Sequence, residues 1–464
     1  MATLSFHGAA QQVTGSCYLI DTGNHRVLLE CGMVQGEPED NAAPTFPFDP
    51  REIDAVVLSH AHLDHSGRIP ALVRNGFSGP IYLTRASYAL IELLHKDAAH
   101  LELKDTEWEN RRRQRSGKPP IEPLFTLDDV ETALELRSPQ RYGERFEVVP
   151  GIECCFRDAG HILGSAIVEL WIAIENETRK LVFSGDLGNQ CSPLMHDPEV
   201  VEDADLLLIE STYGDRDHRP HDETLEEFQA ALAAAAQSGG NVLIPSFAVG
   251  RTQDLIYYLG DLHREGRLAQ QAVFLDSPMA IEASTIYTRF TKLFNSDDPE
   301  FREAMHHDWS QWLPILQYSR TAEQSMALNQ IKGGAIIIAG SGMCTGGRIR
   351  HHLKHNLWRR DAHVVIVGYQ ARGTPGRALI DGAEKLKLLG EEIAVRATIH
   401  TLGGFSAHAG QSQLLEWAGH FKESRPRLFL VHGENEKMLI LQRAFLDRHG
   451  WNAAIPTRGE TITL

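Results

Sequence analysis

Apolar residues in this chain come in short runs whose period changes from place to place. Residues 17–20 and 26–30 flank Asp21, Thr22, Gly23 and Asn24, a turn cluster between two apolar stretches, and predict a β-hairpin. Near-continuous apolar runs at 55–58, 81–84, 146–149, 152–156, 181–184 and 205–209 predict further short, buried strands. From 69 to about 103 the spacing turns helical around the strand at 81–84, with Leu90, Leu93, Leu94 and Leu101 on one segment.

Past residue 210 the pattern shifts. An Ala-rich amphipathic helix is predicted over 222–238, followed by apolar runs at 241–245, 272–275, 334–339 and 363–367 with helical stretches between them. Strands alternating with helices over about 150 residues predict a parallel α/β unit inserted whole into the first domain. A strand at 395–401, a histidine loop at 405–408, a helix at 411–421 and a strand at 427–431 read as the return to that first domain. The expected organisation is therefore residues 1–212, an inserted domain over 213–394, and a return over 395–464. With 464 residues the chain is too long for one ordinary core, which agrees with two domains.

Composition narrows the class. Apolar residues make up 42% and charged residues 23%, the profile of a globular protein, and no run of about 18 apolar residues exists to span a membrane. The first residues lack the basic region and apolar core of a signal peptide, so a cytoplasmic protein is the simplest inference. Six cysteines show no CxxC spacing, and reduced thiols are expected. The net charge of −17 argues against coating nucleic acid indiscriminately but leaves room for a polyanion held at a local site. The one dense basic run, at 111–115, precedes Gly117, Lys118, Pro119 and Pro120 and is expected to be exposed. It reads as a solvated helix face, with a phosphate-contacting arm as the alternative.

The chemistry concentrates at 59–67. His60, His62, Asp64 and His65 follow directly on the apolar run 55–58. Alternation puts the imidazoles of 60 and 62 on one side of an extended segment, while Asp64 and His65 turn away. That pattern suits two adjacent metals, the histidine pair for one and the Asp-His pair for the other. Mixed imidazole and carboxylate donors suit Zn²⁺, and paired ions form a common hydrolytic clamp.

His-X-His-X-Asp-His resembles the signature of the metallo-β-lactamase superfamily. The long insertion, with Glu210 in Glu-Ser-Thr-Tyr-Gly, His408 in Phe-Ser-Ala-His and His432 in Val-His-Gly-Glu, further resembles the β-CASP nucleases through their motifs A, B and C. These include the cleavage and polyadenylation endonuclease and bacterial ribonucleases. The likeness covers essentially the whole chain. It implies an α/β fold, a metallo-β-lactamase αββα sandwich carrying an inserted parallel α/β β-CASP domain. It also implies two Zn²⁺, one held by His60, His62 and His161, the other by Asp64, His65 and His432, with Asp186 shared and Glu30 supporting the loop. A histidine at motif C marks RNA-directed members. The implied chemistry is hydrolysis of single-stranded RNA by a zinc-activated water, with Asp64 orienting it and His408, held by Glu210, as general acid. The inserted domain would close over the metals, and Arg251, Ser341, Gly342, Arg372 and Ser406 are the candidate phosphate contacts. A homodimer is the family-level expectation. Gly410 and Pro375 depart from the family pattern, which puts loop conformation in question there. Rival readings are a small-molecule hydrolase of thioesters or lactones, a non-catalytic RNA-processing subunit, and a DNA nuclease. Endonuclease and 5′-exonuclease action both remain open.

Overall fold

The computed structural model describes residues 2–34, 45–190 and 192–464. The chain divides into two units, one formed by Met1–Gln190, Asp197–Asp217 and His408–Leu464, the other by Cys191–His196 and His218–Ala407.

Two seven-stranded sheets build the first unit. One has the spatial order Thr461–Thr463, Thr3–Gly8, Cys17–Asp21, Arg26–Leu29, Ala55–Val57, Ile81–Thr84 and Arg137–Gln140. The other has the order Ala453–Ala454, Arg427–Val431, Leu206–Glu210, Glu177–Phe183, Ala166–Ile174, Ile152–Asp158 and Arg145–Val149. Side chains alternate across a strand, so each sheet offers one face to the other. Leu4, Phe6, Tyr18, Ile20, Val27 and Leu29 thereby meet Val168, Leu170, Phe183, Leu208, Phe429 and Val431 in a single core. The opposite face of the second sheet, with Ile167, Val182, Leu207 and Ile209, lies under helices Gln411–Ala418 and Asn435–His449 through Leu414, Trp417, Leu441 and Phe445. Helix Arg85–Arg115 packs on strands Ile81–Thr84 and Arg137–Gln140 of the first sheet. Burial on both faces is why the strand sequences are apolar runs rather than clean alternations. The layers are helix, sheet, sheet, helix.

One register decides where the chemistry goes. Glu177–Phe183, Leu206–Glu210 and Arg427–Val431 run parallel as neighbours, with Phe183 opposite Leu208 and Glu210 opposite Val431. Their carboxyl ends therefore reach one edge of the sheet, and Asp186, Glu210 and His432 stand there.

The second unit holds a six-stranded, wholly parallel sheet in the order Leu316–Tyr318, Ala272–Leu275, Ala335–Ala339, Val242–Pro245, His363–Ile366 and Thr398–Thr401. Residues 395–407 differ from expectation. Thr398–Thr401 pairs with His363–Ile366 in this sheet, and the first unit resumes only at His408. The strand Thr-Ile-His-Thr is half-exposed at a sheet edge, and with one apolar residue it carries no signal for which sheet it joins. Strand Leu316–Tyr318 and the hairpin of Lys385–Leu388 with Glu391–Ala394 are additional to the elements expected from the sequence.

After Ala272–Leu275 comes Asp276, fully buried. Its Oδ2 accepts hydrogen bonds from Ser325 Oγ at 2.6 Å and His352 Nε2 at 2.5 Å, and its Oδ1 accepts one from Arg348 Nη1 at 2.7 Å. Arg348 also donates to the backbone carbonyls of Ser319 and Arg320. This tie fixes the loop that follows Ala335–Ala339.

Cys17, Cys31, Cys154, Cys155 and Cys344 are buried and unpaired, while Cys191 lies outside the described residues. Among the described residues no helix is long and apolar enough to cross a membrane.

Candidate metal centre

Each ligand-type side chain sits where a strand gives way to a loop. Strand Ala55–Val57 ends in Leu58 and Ser59, and the next residues carry His60 and His62 before the short helix Leu63–Ser66 turns Asp64 and His65 inward. Gly32 lets the backbones meet here, since a Cβ on it would lie 1.7 Å from the Asp64 carbonyl oxygen. Gly185, at φ +55°, reverses the chain just before Asp186, a conformation that glycine adopts at little cost.

The side chains converge in three overlapping groups. His60, His62, His161 and Asp186 form one, Asp64, His65 and His432 a second, and Asp186, Glu210 and His432 a third; within each, one ligand atom per residue lies within 4.8 Å of the rest. His60 Nε2 is 3.1 Å from His62 Nδ1, which is 3.4 Å from His161 Nε2. Asp186 Oδ2 stands 3.6 Å from His60 Nε2, 3.7 Å from His161 Nε2 and 3.3 Å from His65 Nε2. His432 Nε2 is 3.5 Å from Asp64 Oδ2, and His432 Nδ1 is 3.6 Å from Asp186 Oδ1. A tetrahedral zinc with Zn–N of about 2.0–2.1 Å separates its donors by about 3.3 Å, so these spacings fit a shared cation.

Hydrogen bonding sharpens the fit. Both Asp186 oxygens, His65 Nε2 and His432 Nε2 are buried and have no hydrogen-bond partner. Buried polar atoms are almost always paired, so four orphans converging on one point call for a cation. The far sides of the same imidazoles are held. Glu30 accepts from the Ser59 amide at 2.5 Å and pairs with His65 Nδ1 at 2.9 Å. Ser59 Oγ meets His60 Nδ1 at 3.0 Å, and Thr212 Oγ1 meets His432 Nδ1 at 3.1 Å. Such partners set tautomer and ring orientation for a metal. Ser59 and Thr212 escape sequence reasoning, although each is a hydroxyl within two residues of His60 or Glu210.

Electrostatics follow from burial and crowding. Burial holds His60 well below its usual range, and neighbouring imidazoles add to this. His62 is lowered by burial against the pull of Asp64 and Asp186. Burial works against the ionised form of Asp186, but His432 and His65 outweigh it and hold the carboxyl well down. Asp64 is lowered in the same way, chiefly by His65 and His432. His65 is drawn up toward the charged form by Asp186 and Asp64 in spite of its burial.

Glu210 is fully buried at the end of its strand. It accepts from the Leu187 amide at 2.7 Å, and both its oxygens lie 3.3 Å from His408 Nδ1. His408 is set in place by a β-bridge to Gly188 and by the Ala409 amide on the Leu187 carbonyl. Burial would lower its pKa, but the Glu210 charge and hydrogen bond, then Asp186 and Asp64, raise it to about 9. Cations at the adjacent centre act in the opposite sense.

The expected phosphate contacts lie elsewhere in the chain. Arg251, Ser341, Gly342, Arg372 and Ser406 all belong to the second unit. Ser341 and Gly342 follow Ala335–Ala339, and Gln370, in the loop after His363–Ile366, donates to the Gly342 carbonyl at 2.9 Å. Arg372 is exposed on that same loop. Arg251 is mostly buried and pairs with Asp254 at 3.1 Å, where burial pushes the Asp254 carboxyl up to about 6 against the pull of Arg251. Of the two departures, Pro375 opens helix Pro375–Ile380, where its missing N–H costs nothing, and Gly410 precedes helix Gln411–Ala418.

A buried cation-binding cluster on the edge of an αββα sandwich defines a metallo-hydrolase of the metallo-β-lactamase fold. Comparison with known proteins agrees. The metallo-beta-lactamase superfamily model matches residues 11–246, the Beta-Casp domain 252–379, and the Zn-dependent metallo-hydrolase RNA specificity domain 392–456. The chain is 42% identical over 457 residues to ribonuclease TTHA0252 of Thermus thermophilus, covering 98% of each. It is 33% identical to transcription termination factor FttA of Methanocaldococcus jannaschii, covering 94% of this chain and 67% of that one. An RNase J-like protein of the same archaeon is 28% identical over the full length of both. A crystal structure of a protein of unknown function from Enterococcus faecalis shares the fold, with a TM-score of 0.52 at 14% identity and full coverage of both chains. The chain belongs to the β-CASP ribonucleases of the metallo-β-lactamase superfamily.

Proposed function

We propose that this zinc-dependent ribonuclease hydrolyses phosphodiester bonds of single-stranded RNA at a two-zinc centre. His60, His62 and His161 would hold one ion, Asp64, His65 and His432 the other, and Asp186 both. The observation that carries the reading is Asp186, buried between these two ligand sets with neither oxygen hydrogen-bonded. Bound zinc supplies a water acidic enough to act as nucleophile near neutral pH and neutralises charge that grows on the phosphoryl oxygens.

The remaining work falls to the chain. Asp64 stands at the open side of the centre, its side chain 20% exposed, where its carboxylate would orient the attacking water. Glu210 fixes His408 with its Nδ1 side inward. The Glu210 carboxylate favours the protonated imidazole, which would donate a proton to the leaving 3′ oxygen. Products carry 5′-phosphate and 3′-hydroxyl ends. Gly342, Ser341 and Ser406 offer backbone and hydroxyl donors to RNA phosphates, with Arg372 adding charge. Arg251, tied to Asp254, is the weakest of the five candidates. A cytoplasmic setting, suited to buried free thiols, and a homodimer complete the reading.

The test is digestion of 5′-labelled single-stranded RNA, with a matched DNA, by zinc-loaded wild type and His408→Ala. RNA-only cleavage, greatly slowed in the variant although zinc is retained, is expected. Internal fragments would assign endonuclease action and released mononucleotides 5′-exonuclease action. Turnover of a thioester or lactone, untouched by His408→Ala and without cleavage of either polymer, would overturn the reading.

A further inference from the structure

Helix Arg85–Arg115 has two halves that behave differently. Its 31 residues span about 46 Å. The first half is built into the site: Thr84 and Ser87 hydroxyls donate to the Gly164 carbonyl of the His161 loop at 2.7 and 2.9 Å. His95 Nε2 meets Ser66 Oγ at 3.1 Å, behind the loop that carries Asp64 and His65. Beyond Ala99 only Thr106 is buried.

That outer half is backed on one side only. Asn110 exchanges two hydrogen bonds with the backbone of Ile121, at 2.8 and 2.9 Å. Arg113 Nε donates to the Pro119 carbonyl, and Glu102 accepts from the Leu124 amide. Glu102, Thr106, Asn110 and Arg113 share one helix face, and residues 116–124 return along it. On the uncovered face, within about 60° of Trp108 at 100° per residue, stand Leu101, Lys104, Asp105, Arg111, Arg112 and Arg115. Trp108 is 62% exposed, which marks it out because a large aromatic on a wet surface loses nothing by being covered. The Arg112 guanidinium lies 5.8 Å from its ring centroid.

We propose that this stripe is a second RNA-binding element, an arm on which Trp108 stacks a base while Lys104, Arg111, Arg112 and Arg115 contact flanking phosphates. The inference rests on the ribonuclease reading above. Cations in a helix's last turn complement its dipole, which accounts for Arg112, Arg113 and Arg115 but not for Arg111 or for an exposed tryptophan two turns before the end. Residues 110–118 hold five cations and no acid on a chain of net charge −17, so the arm is matched to a polyanion rather than to a second copy of this acidic chain. Lys104, Arg115 and Lys118 make no salt bridge among the described residues. Arg111 pairs with Glu107 at 3.9 Å, an exposed pair that exchanges readily for phosphate, and Arg112 pairs at 3.0 Å with the half-buried Glu109. An aromatic platform among cations is the sequence-tolerant way to hold single strands.

Trp108 lies thirteen residues past His95, about 20 Å further along the helix axis, so only longer RNA engages both the centre and the arm. The test uses the zinc-loaded full chain, Trp108→Ala, and the triple variant Arg111→Gln, Arg112→Gln, Arg115→Gln. Affinity for a non-cleavable 2′-O-methyl RNA is read by anisotropy, and cleavage is compared on substrates of about five and about thirty nucleotides. Each variant should bind the long RNA about 10-fold more weakly and show a matching rise in KM with kcat unchanged, while the short substrate is unaffected. The triple variant should also flatten the log–log salt dependence by about 2. Unchanged long-RNA affinity in both variants overturns the proposal, as does a change of oligomeric mass in place of a change in affinity. Because binding is read without cleavage, failure of the wild type to cut RNA would count against the ribonuclease reading and leave this result separate.

Discussion

The protein buries two ionisable clusters at the ends of parallel strands, and they are finished differently. In the second unit Asp276 has three donors on its two oxygens, from Ser325, Arg348 and His352, leaving only His352 Nδ1 unpaired at its margin. In the first unit Asp186 has no hydrogen bond at all, and His65 Nε2, which faces it, and His432 Nε2, which faces Asp64, are equally bare. Burying charge costs free energy unless partners compensate it. One cluster carries its compensation within the chain, and its product is a fixed loop. The other is complete only with a cation, and its product is chemistry. Counting charged residues would not separate them; counting their hydrogen bonds does.

Substitutions should divide along the same line. Asp186→Asn should lower cleavage by roughly 10³-fold or more, as loss of the hub of a catalytic unit does, while the metal-free chain stays folded. Zinc analysis beside single-turnover kinetics checks both halves. His408→Ala should slow cleavage by about 10²–10⁴-fold, the worth of a general acid, with zinc content unchanged. Asp276→Ala should instead destabilise the second unit by about 3–5 kcal/mol, equally with and without zinc, as seen by urea denaturation. Burial alone would raise the Asp276 carboxyl, but His352, Ser325 and Arg348 lower it on balance. Its stabilising contribution is therefore complete above the unfolded value of about 3.9 and is lost as pH falls through the lower folded value. Denaturation between pH 5 and pH 2 should show that acid loss in the wild type and a shallower one in Asp276→Ala. The smallest effect belongs to Thr212→Val, which unseats His432 Nδ1. It should weaken one metal site by about 10-fold in a zinc titration and leave stability almost untouched.

How much of this could be read in advance depends on how local each signal is. Four ligand-type residues between His60 and His65 announce a metal loop by density alone. His161 and Asp186 are single residues between glycines, intelligible only through the resemblance, and it took the parallel register of three strands to bring Asp186, Glu210 and His432 to one edge. The orienting hydroxyls of Ser59 and Thr212 carry no periodic or motif signature. Thr398–Thr401 went to the second unit because an edge strand with one apolar residue does not declare its sheet. Arg251 is read in the sequence as a basic residue near a glycine-rich stretch; its pairing with Asp254 inside the fold carries no sequence signal. The run at 111–115 was legible as charge, but the uncovered stripe around Trp108 appears only once residues 116–124 are seen to return along the opposite face. A small-molecule hydrolase would need neither the β-CASP domain matched at 252–379 nor the Glu210–His408 pair.

The most direct measurement is a zinc titration of metal-free protein, following bound zinc and RNA cleavage in the same samples. Binding that saturates near two ions per chain, with cleavage rising as the sites fill and neither seen in Asp186→Asn, is the predicted result. Full cleavage by metal-free protein, or zinc bound as tightly by Asp186→Asn as by the wild type, would contradict the account.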